Sequence, residues 1–105
     1  MASGLKGSSK PAANTDTTLY TCSGSATVVN ISTCNQHAST AAEVVISIVP
    51  SGQTKAAQHG IEYNTTLAGK AVLERTGITL GVGDFIVVAS STANVSFNAW
   101  GVDLG

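Results

Sequence analysis

From Thr17 onward, apolar and polar residues alternate over short runs, and each run stops at Gly, Pro, Ser or Asn. This punctuation constrains the fold more than any other feature. A period of two places successive side chains on opposite faces of an extended strand. Short runs with turn residues about every 8–12 positions build antiparallel sandwiches, not helical bundles. The strand candidates are 17–22 (TTLYTC), 26–34 (ATVVNISTC), 42–49 (AEVVISIV), 60–67 (GIEYNTTL), 70–80 (KAVLERTGITL), 85–91 (FIVVASS) and 94–102 (NVSFNAWGV). The fifth of these has helix formers at its start, but Gly69 and Gly77 bracket too few residues for a stable helix.

The faces can be assigned run by run. Thr27, Val29, Ile31 and Thr33 share one side of the second run. In 42–49, Val44, Ile46 and Ile48 oppose Val45, Ser47 and Val49, so both sides are apolar and a central strand is expected. In 60–67, Ile61 and Tyr63 alternate with Glu62 and Asn64. In 85–91, Phe85, Val87 and Ala89 oppose Ile86, Val88 and Ser90. In the last run Val95, Phe97 and Ala99 oppose Trp100 and Val102. Val44, Ile46, Ile48, Phe85, Val87 and Phe97 are the expected core, with Phe85 and Phe97 as its aromatic anchors. Ser23-Gly24-Ser25 reads as a hairpin turn, 35–40 as a polar loop and Pro50-Ser51-Gly52 as a turn. Residues 53–59 read as a single helical turn or a loop. The stretch 85–102 reads as a closing hairpin around Thr92-Ala93.

Residues 1–16 show no period of 2 or 3.6 and are rich in Gly, Ala and Ser. They are expected to form an extended arm, with residues 17–105 as the β-sandwich domain. Lys6, Lys10 and Pro11 of the arm, together with Trp100, are the candidate partner-binding residues. Trp100 is expected either to close the end of the sandwich or to pack against a neighbour.

Charged residues make up 10% of the 105-residue chain and the formal net charge is -1. No cationic field exists for phosphates, so nucleic acid is excluded as a partner on this reading. Low charge also leaves little electrostatic defence against self-association, which suits a surface covered by neighbours. No apolar run approaches the ~20 residues of a membrane span, and the first residues lack the apolar segment of a signal peptide. No membrane association and a cytoplasmic site of synthesis are therefore expected. The sequons at Asn30, Asn64 and Asn94 are expected by chance in so Ser/Thr-rich a chain.

Cys22 and Cys34 are expected as free thiols. With His37 and His59 they match a zinc site in number but not in spacing, since neither C-x-x-C nor H-x-x-x-H occurs. No cofactor is expected. The G-x-G of LGVGDF precedes no helix, and no nucleophile motif occurs. Asp84 is expected to cap a turn, while Glu62, Glu74 and Asp103 are expected to face solvent. No catalytic residues are assigned, and the chain reads as a non-enzyme.

The segments AANTDTTLYT (12–21), TCNQ (33–36), VVISIVPSG (44–52), QHGIEYN (58–64), LERTGITLGVGDFIVV (73–88) and ASSTANVSFNAWG (89–101) together resemble a family of small β-sandwich virion proteins of tailed phages, many of them marine or cyanobacterial. The shorter Cys22-Ser-Gly-Ser turn departs from the family pattern. The resemblance implies an all-β antiparallel sandwich of jelly-roll type. It also implies a structural role in the virion, in many copies or as a homo-oligomer. The expected role is capsid decoration or cement, held to the head by the arm and the sandwich edges, with the major capsid protein or tail structural proteins as partners. The alternatives are a tail or baseplate component, or a carbohydrate- or receptor-binding module of a tail fibre.

Overall fold

The computed structural model describes residues 3–105. Eight strands form: β1 (Ser3–Ser9), β2 (Thr17–Thr21), β3 (Thr27–Asn35), β4 (Ala42–Val49), β5 (Gly60–Leu67), β6 (Val72–Leu80), β7 (Phe85–Ser90) and β8 (Val95–Asp103). A 3-10 turn, Ala57–His59, precedes β5. Two antiparallel four-stranded sheets result, β1-β8-β3-β6 and β2-β7-β4-β5. They are called the first and second sheets below.

The pairings are nested. β1 pairs with β8, β2 with β7, β3 with β6 and β4 with β5. The chain is thus one long hairpin, bent at the β4–β5 connection and rolled so that alternate rungs fall in opposite sheets. This wiring overturns both local hairpins expected from sequence. β2 and β3 lie in different sheets, so Ser23-Gly24-Ser25 is a corner between layers. β7 and β8 also lie in different sheets. Turn chemistry identifies a change of direction, but which sheet the chain enters next depends on long-range pairing.

The core lies between the sheets. β3 alternates throughout, with Thr27, Val29, Ile31, Thr33 and Asn35 inward. Val95, Phe97 and Ala99 of β8 lie beside them, and Val44, Ile46, Ile86 and Val88 come from the opposite sheet. Burying such a set supplies the main driving force at about 25 cal/mol per Å² of apolar surface. Val44, Ile46 and Phe97 are completely buried, as expected, and Ile48 is partly buried against the same cluster. Val87 is buried as expected and Phe85 only partly so, but neither belongs to the main core cluster. The core face of β7 is Ile86 and Val88, so Phe85 and Val87 point out of the second sheet. Val87, Ser47 and Val49 are still buried, because the connection after β4 folds back over that outer face and its 3-10 turn packs on β4. Lys55 in this connection pairs with Asp16 at 3.0 Å. Phe85 is only partly buried, at the rim of this second layer.

The largest departure is at the N-terminus. An extended arm over residues 1–16 was expected, but Ser3–Ser9 is the edge strand β1 of the domain's own first sheet. Residues 1–2 lie outside the described residues. Backbone pairing to β8, not apolar burial, recruits this strand, which is why its composition does not reveal it. β1 contains a bulge between Leu5 and Gly7. Gly7 then passes so close to the Leu19 carbonyl of β2 that a Cβ there would overlap it. Only residues 10–16 remain a connection between the layers.

Tyr63 and Glu62 also exchange roles. Shifts in the β4–β5 pairing near Ile46 break the simple alternation of β5. Ile61 packs on the core, Tyr63 is 60% exposed, and the Glu62 carboxylate is largely covered.

Candidate interaction surfaces

The charged residues are mostly consumed inside the fold. The Lys6 ammonium donates to Asp103 at 2.7 Å, and Thr27 Oγ1 donates to the same carboxylate at 2.8 Å. The hydrogen bond to Asp103 raises the Lys6 pKa above the usual 10.5, against an opposing effect of burial. Arg75 donates to Glu62 at 2.7 Å, joining the outermost strands β6 and β5 of opposite sheets. Glu62 also accepts from Thr65 Oγ1 at 2.6 Å. Asp103 and Glu62, expected to face solvent, are therefore structural partners. Each is drawn inward by a cation on another strand, the paired strand β1 for Asp103 and the opposite sheet's β6 for Glu62. Glu74 is exposed. Asp84 caps as expected, accepting from the backbone amides of Gly81 and Ser51.

The two histidines organise turns. His37 Nδ1 accepts from the amides of Ser39 and Thr40, and His59 Nδ1 accepts from Ala56. Asn35, buried, holds the same region by donating to the carbonyls of Thr40 and Leu67. Cys22 and Cys34 are free thiols; Cys22 is buried against the carbonyls of Ser25 and Leu80. Among the described residues no three His, Cys, Asp or Glu side chains gather in a metal-holding group.

What remains outside is the outer face of the first sheet. The register aligns Leu5, Trp100 and Asn30 across β1, β8 and β3. The next row on this face aligns Ser3, Val102, Val28 and Thr79, and Val72 pairs with Cys34 toward the other end. Leu5 is 68% exposed, Val72 57% and Val102 40%. Ser32, Ser96 and Asn98 fill the polar positions. Among the described residues Glu74 is the only formal charge at a paired position of this face, and exposed Lys10 borders it beside Ser96 and Asn98.

Of the four residues singled out from sequence, Trp100 lies half-buried in this face. Lys6 is committed to Asp103 and Pro11 is buried. Lys10 is exposed and borders a shallow groove of about 360 Å³ with Gln36, Ser96 and Asn98. The structure therefore brings Trp100 together with Leu5, Val28 and Val102, and not with Lys6 or Pro11. Sequence reasoning missed Leu5. Its signal, a lone apolar residue at alternate spacing from Ser3, is drowned by the flanking glycines.

A second groove, of about 240 Å³, opens beside the second sheet. Val45 and Ala89 form its floor, and Asn14, Glu43, Asn64 and Ser91 rim it. Asn14 and Asn64 both have left-handed backbones, φ 56° and 53°. Asn tolerates this conformation better than most non-glycine residues.

Two antiparallel four-stranded sheets define an all-β, sandwich-like protein. No protein-family model, curated protein or solved structure matches the chain.

Proposed function

We propose that this chain is a non-enzymatic structural subunit that docks through the outer face of its first sheet. The observation that carries the reading is that face itself: a nearly uncharged plane with Trp100 at its centre, flanked by Leu5, Val28 and Val102. Charge depletion with a central aromatic is the composition of interface cores. The strand order 1-8-3-6 beside 2-7-4-5 supports reading the fold as a jelly roll, a double-sheet architecture that viral capsid and lectin domains also use.

The setting proposed is the virion of a tailed phage, on the strength of the segments between residues 12 and 101 described above. There the chain decorates the outer face of the head in many copies and bridges shell subunits, with the major capsid protein as partner. A tail or baseplate location is the alternative setting for the same face. The attachment arm of the sequence reading is replaced here by the sheet face, because residues 3–9 are already paired to β8.

The test is binding to purified particles that lack the protein. Trp100→Asp and Leu5→Asp, both of which leave the core intact, should abolish binding while circular dichroism stays native. Glu43→Gln, beside the other sheet, should bind like wild type. Equal binding by all three variants would overturn the docking assignment, and a density map of the loaded particle would show head or tail.

A glycan-binding role is the second reading. The side chains of Asn14, Glu43 and Asn64 rim the 240 Å³ groove, and among the described residues no hydrogen bond engages them. A glycan array with Glu43→Ala and Asn64→Ala as controls decides it.

A further inference from the structure

β1 is the one described strand without a fully buried residue. Its single large apolar side chain, Leu5, is 68% exposed. Three features hold it: the backbone ladder to β8, the Lys6–Asp103 ion pair and the close seat of Gly7 under the Leu19 carbonyl. Without core burial, a strand is held weakly by its backbone ladder and opens before the rest of the sheet.

The slot that β1 fills is nevertheless specific. It requires a glycine where Gly7 lies, because any Cβ would overlap the Leu19 carbonyl. It requires a cation one residue earlier, to meet the Asp103 carboxylate to which Thr27 also donates. An empty slot would leave the nine-residue strand β8 as an open edge beside Phe97 and Ala99, a template that exposed sheets avoid. The connection to β2 is long enough to reach a second chain once the Asn14–Ser90 backbone bond and the Asp16–Lys55 pair open. Residues 10–16 extend to about 23 Å, whereas packed sheets lie about 10 Å apart. Residues 12–16 are all exposed.

We propose that β1 is an exchangeable strand, and that the partner for the slot is β1 of a second copy of this chain. Reciprocal exchange reproduces every β1 contact described above between two chains, with residues 12–16 as the hinge. Because the contacts are the same, the closed monomer and the exchanged dimer differ mainly in hinge strain and concentration. The exchanged dimer is a twofold assembly in which each Lys6 pairs with the partner subunit's Asp103. The inference does not rest on the virion reading, since it concerns only the chain and its copy.

A disulfide lock tests it on the full chain. Ser8 and Asn98 are directly paired on the outer face of the first sheet. In a Cys34→Ser background, Ser8→Cys with Asn98→Cys should oxidise within one chain in dilute solution and pin β1 in place. Light scattering of the reduced protein at high concentration should show dimers. The pre-locked protein should show none, because the strand cannot leave its own slot, and reduction should restore them. A second arm mixes isotopically labelled Ser8→Cys chains with unlabelled Asn98→Cys chains. Mass spectrometry should find a disulfide joining position 8 of one chain to position 98 of another, above the level given by a Ser8→Cys and Glu43→Cys mixture. If the double variant misfolds, Ser3→Cys with Val102→Cys, also directly paired, replaces it. Dimers that survive the lock would overturn the proposal in favour of face-to-face association. An unlocked chain that stays monomeric would overturn it as well. In that case, loss of particle binding on locking would identify a strand of another protein as the occupant.

Discussion

At the residue scale, two phenylalanines with similar sequence surroundings have different energetic weight. Phe97 is fully buried between the sheets, whereas Phe85 is only partly buried at the rim of the covered outer face. Phe97→Ala should cost about 3–5 kcal/mol, a large share of the roughly 5–15 kcal/mol typical of a domain. Phe85→Ala should cost less, because it buries less apolar area. Urea unfolding of both variants checks the order, and equal costs would contradict this assignment of faces. Lys6 gives a pH prediction. Its folded pKa lies above the usual 10.5, through the hydrogen bond to Asp103. A cation favoured by folding contributes fully below its unfolded pKa, and that contribution is lost as pH rises through the folded value. The Tm difference between wild type and Lys6→Met should therefore hold steady from neutral pH to about 10 and close above the ordinary lysine range. A difference that persists at strongly alkaline pH would show that the lost packing of the lysine stem, not the charge, is responsible.

At the element scale, the two sheets are tied differently at their two open edges. On one side Gly7 of β1 passes under Leu19 of β2 without a side chain between them. On the other, Arg75 of β6 reaches Glu62 and the Ile61 carbonyl of β5. The Glu62 side chain is 11% exposed and that of Arg75 43%, so solvent screens the pair only from one end. Arg75→Ala strands a mostly covered carboxylate and should cost about 1–2 kcal/mol, below the range for a fully buried pair. Arg75→Ala with Glu62→Gln should recover part of that loss, because the amide no longer carries the uncompensated charge. A double-mutant cycle by chemical denaturation reads the coupling, and strict additivity would mean that the clamp carries no net coupling.

At the scale of the whole molecule, nested pairing makes nearly every sheet contact long-range. Ser3 pairs with Val102, and β2 pairs with β7 across most of the chain. Loop closure must precede most of the stabilising contacts, so folding should fall in the milliseconds-to-seconds range typical of all-β domains. Trp100, the one tryptophan, lies on β8 and reports the first sheet. Stopped-flow fluorescence of Trp100 should show this slow phase, whereas microsecond folding would indicate that the sheets form from local hairpins after all.

The alternation of β3, β4 and β8 was legible because each of these strands is central, with neighbours on both sides that hold its register. The capping role of Asp84 was legible because its turn is local. β1 was not legible: a strand recruited by backbone hydrogen bonds alone leaves no side-chain pattern. Nor were the two expected hairpins, because a turn fixes where the chain bends and not which sheet it joins. The outward face of Phe85 and Val87 was decided by a connection folding back over the second sheet, and alternation cannot distinguish a core from a covered outer face. For the surface, the sequence by itself determined that charge would be scarce and that Trp100 would point away from Phe97. Only the tertiary structure placed Leu5, Val28 and Val102 beside that tryptophan, and withdrew Lys6 into its pair with Asp103. The physical reason is that side-chain periodicity is a local property of the extended chain, whereas register and layer are set by pairing between residues up to ninety-nine positions apart.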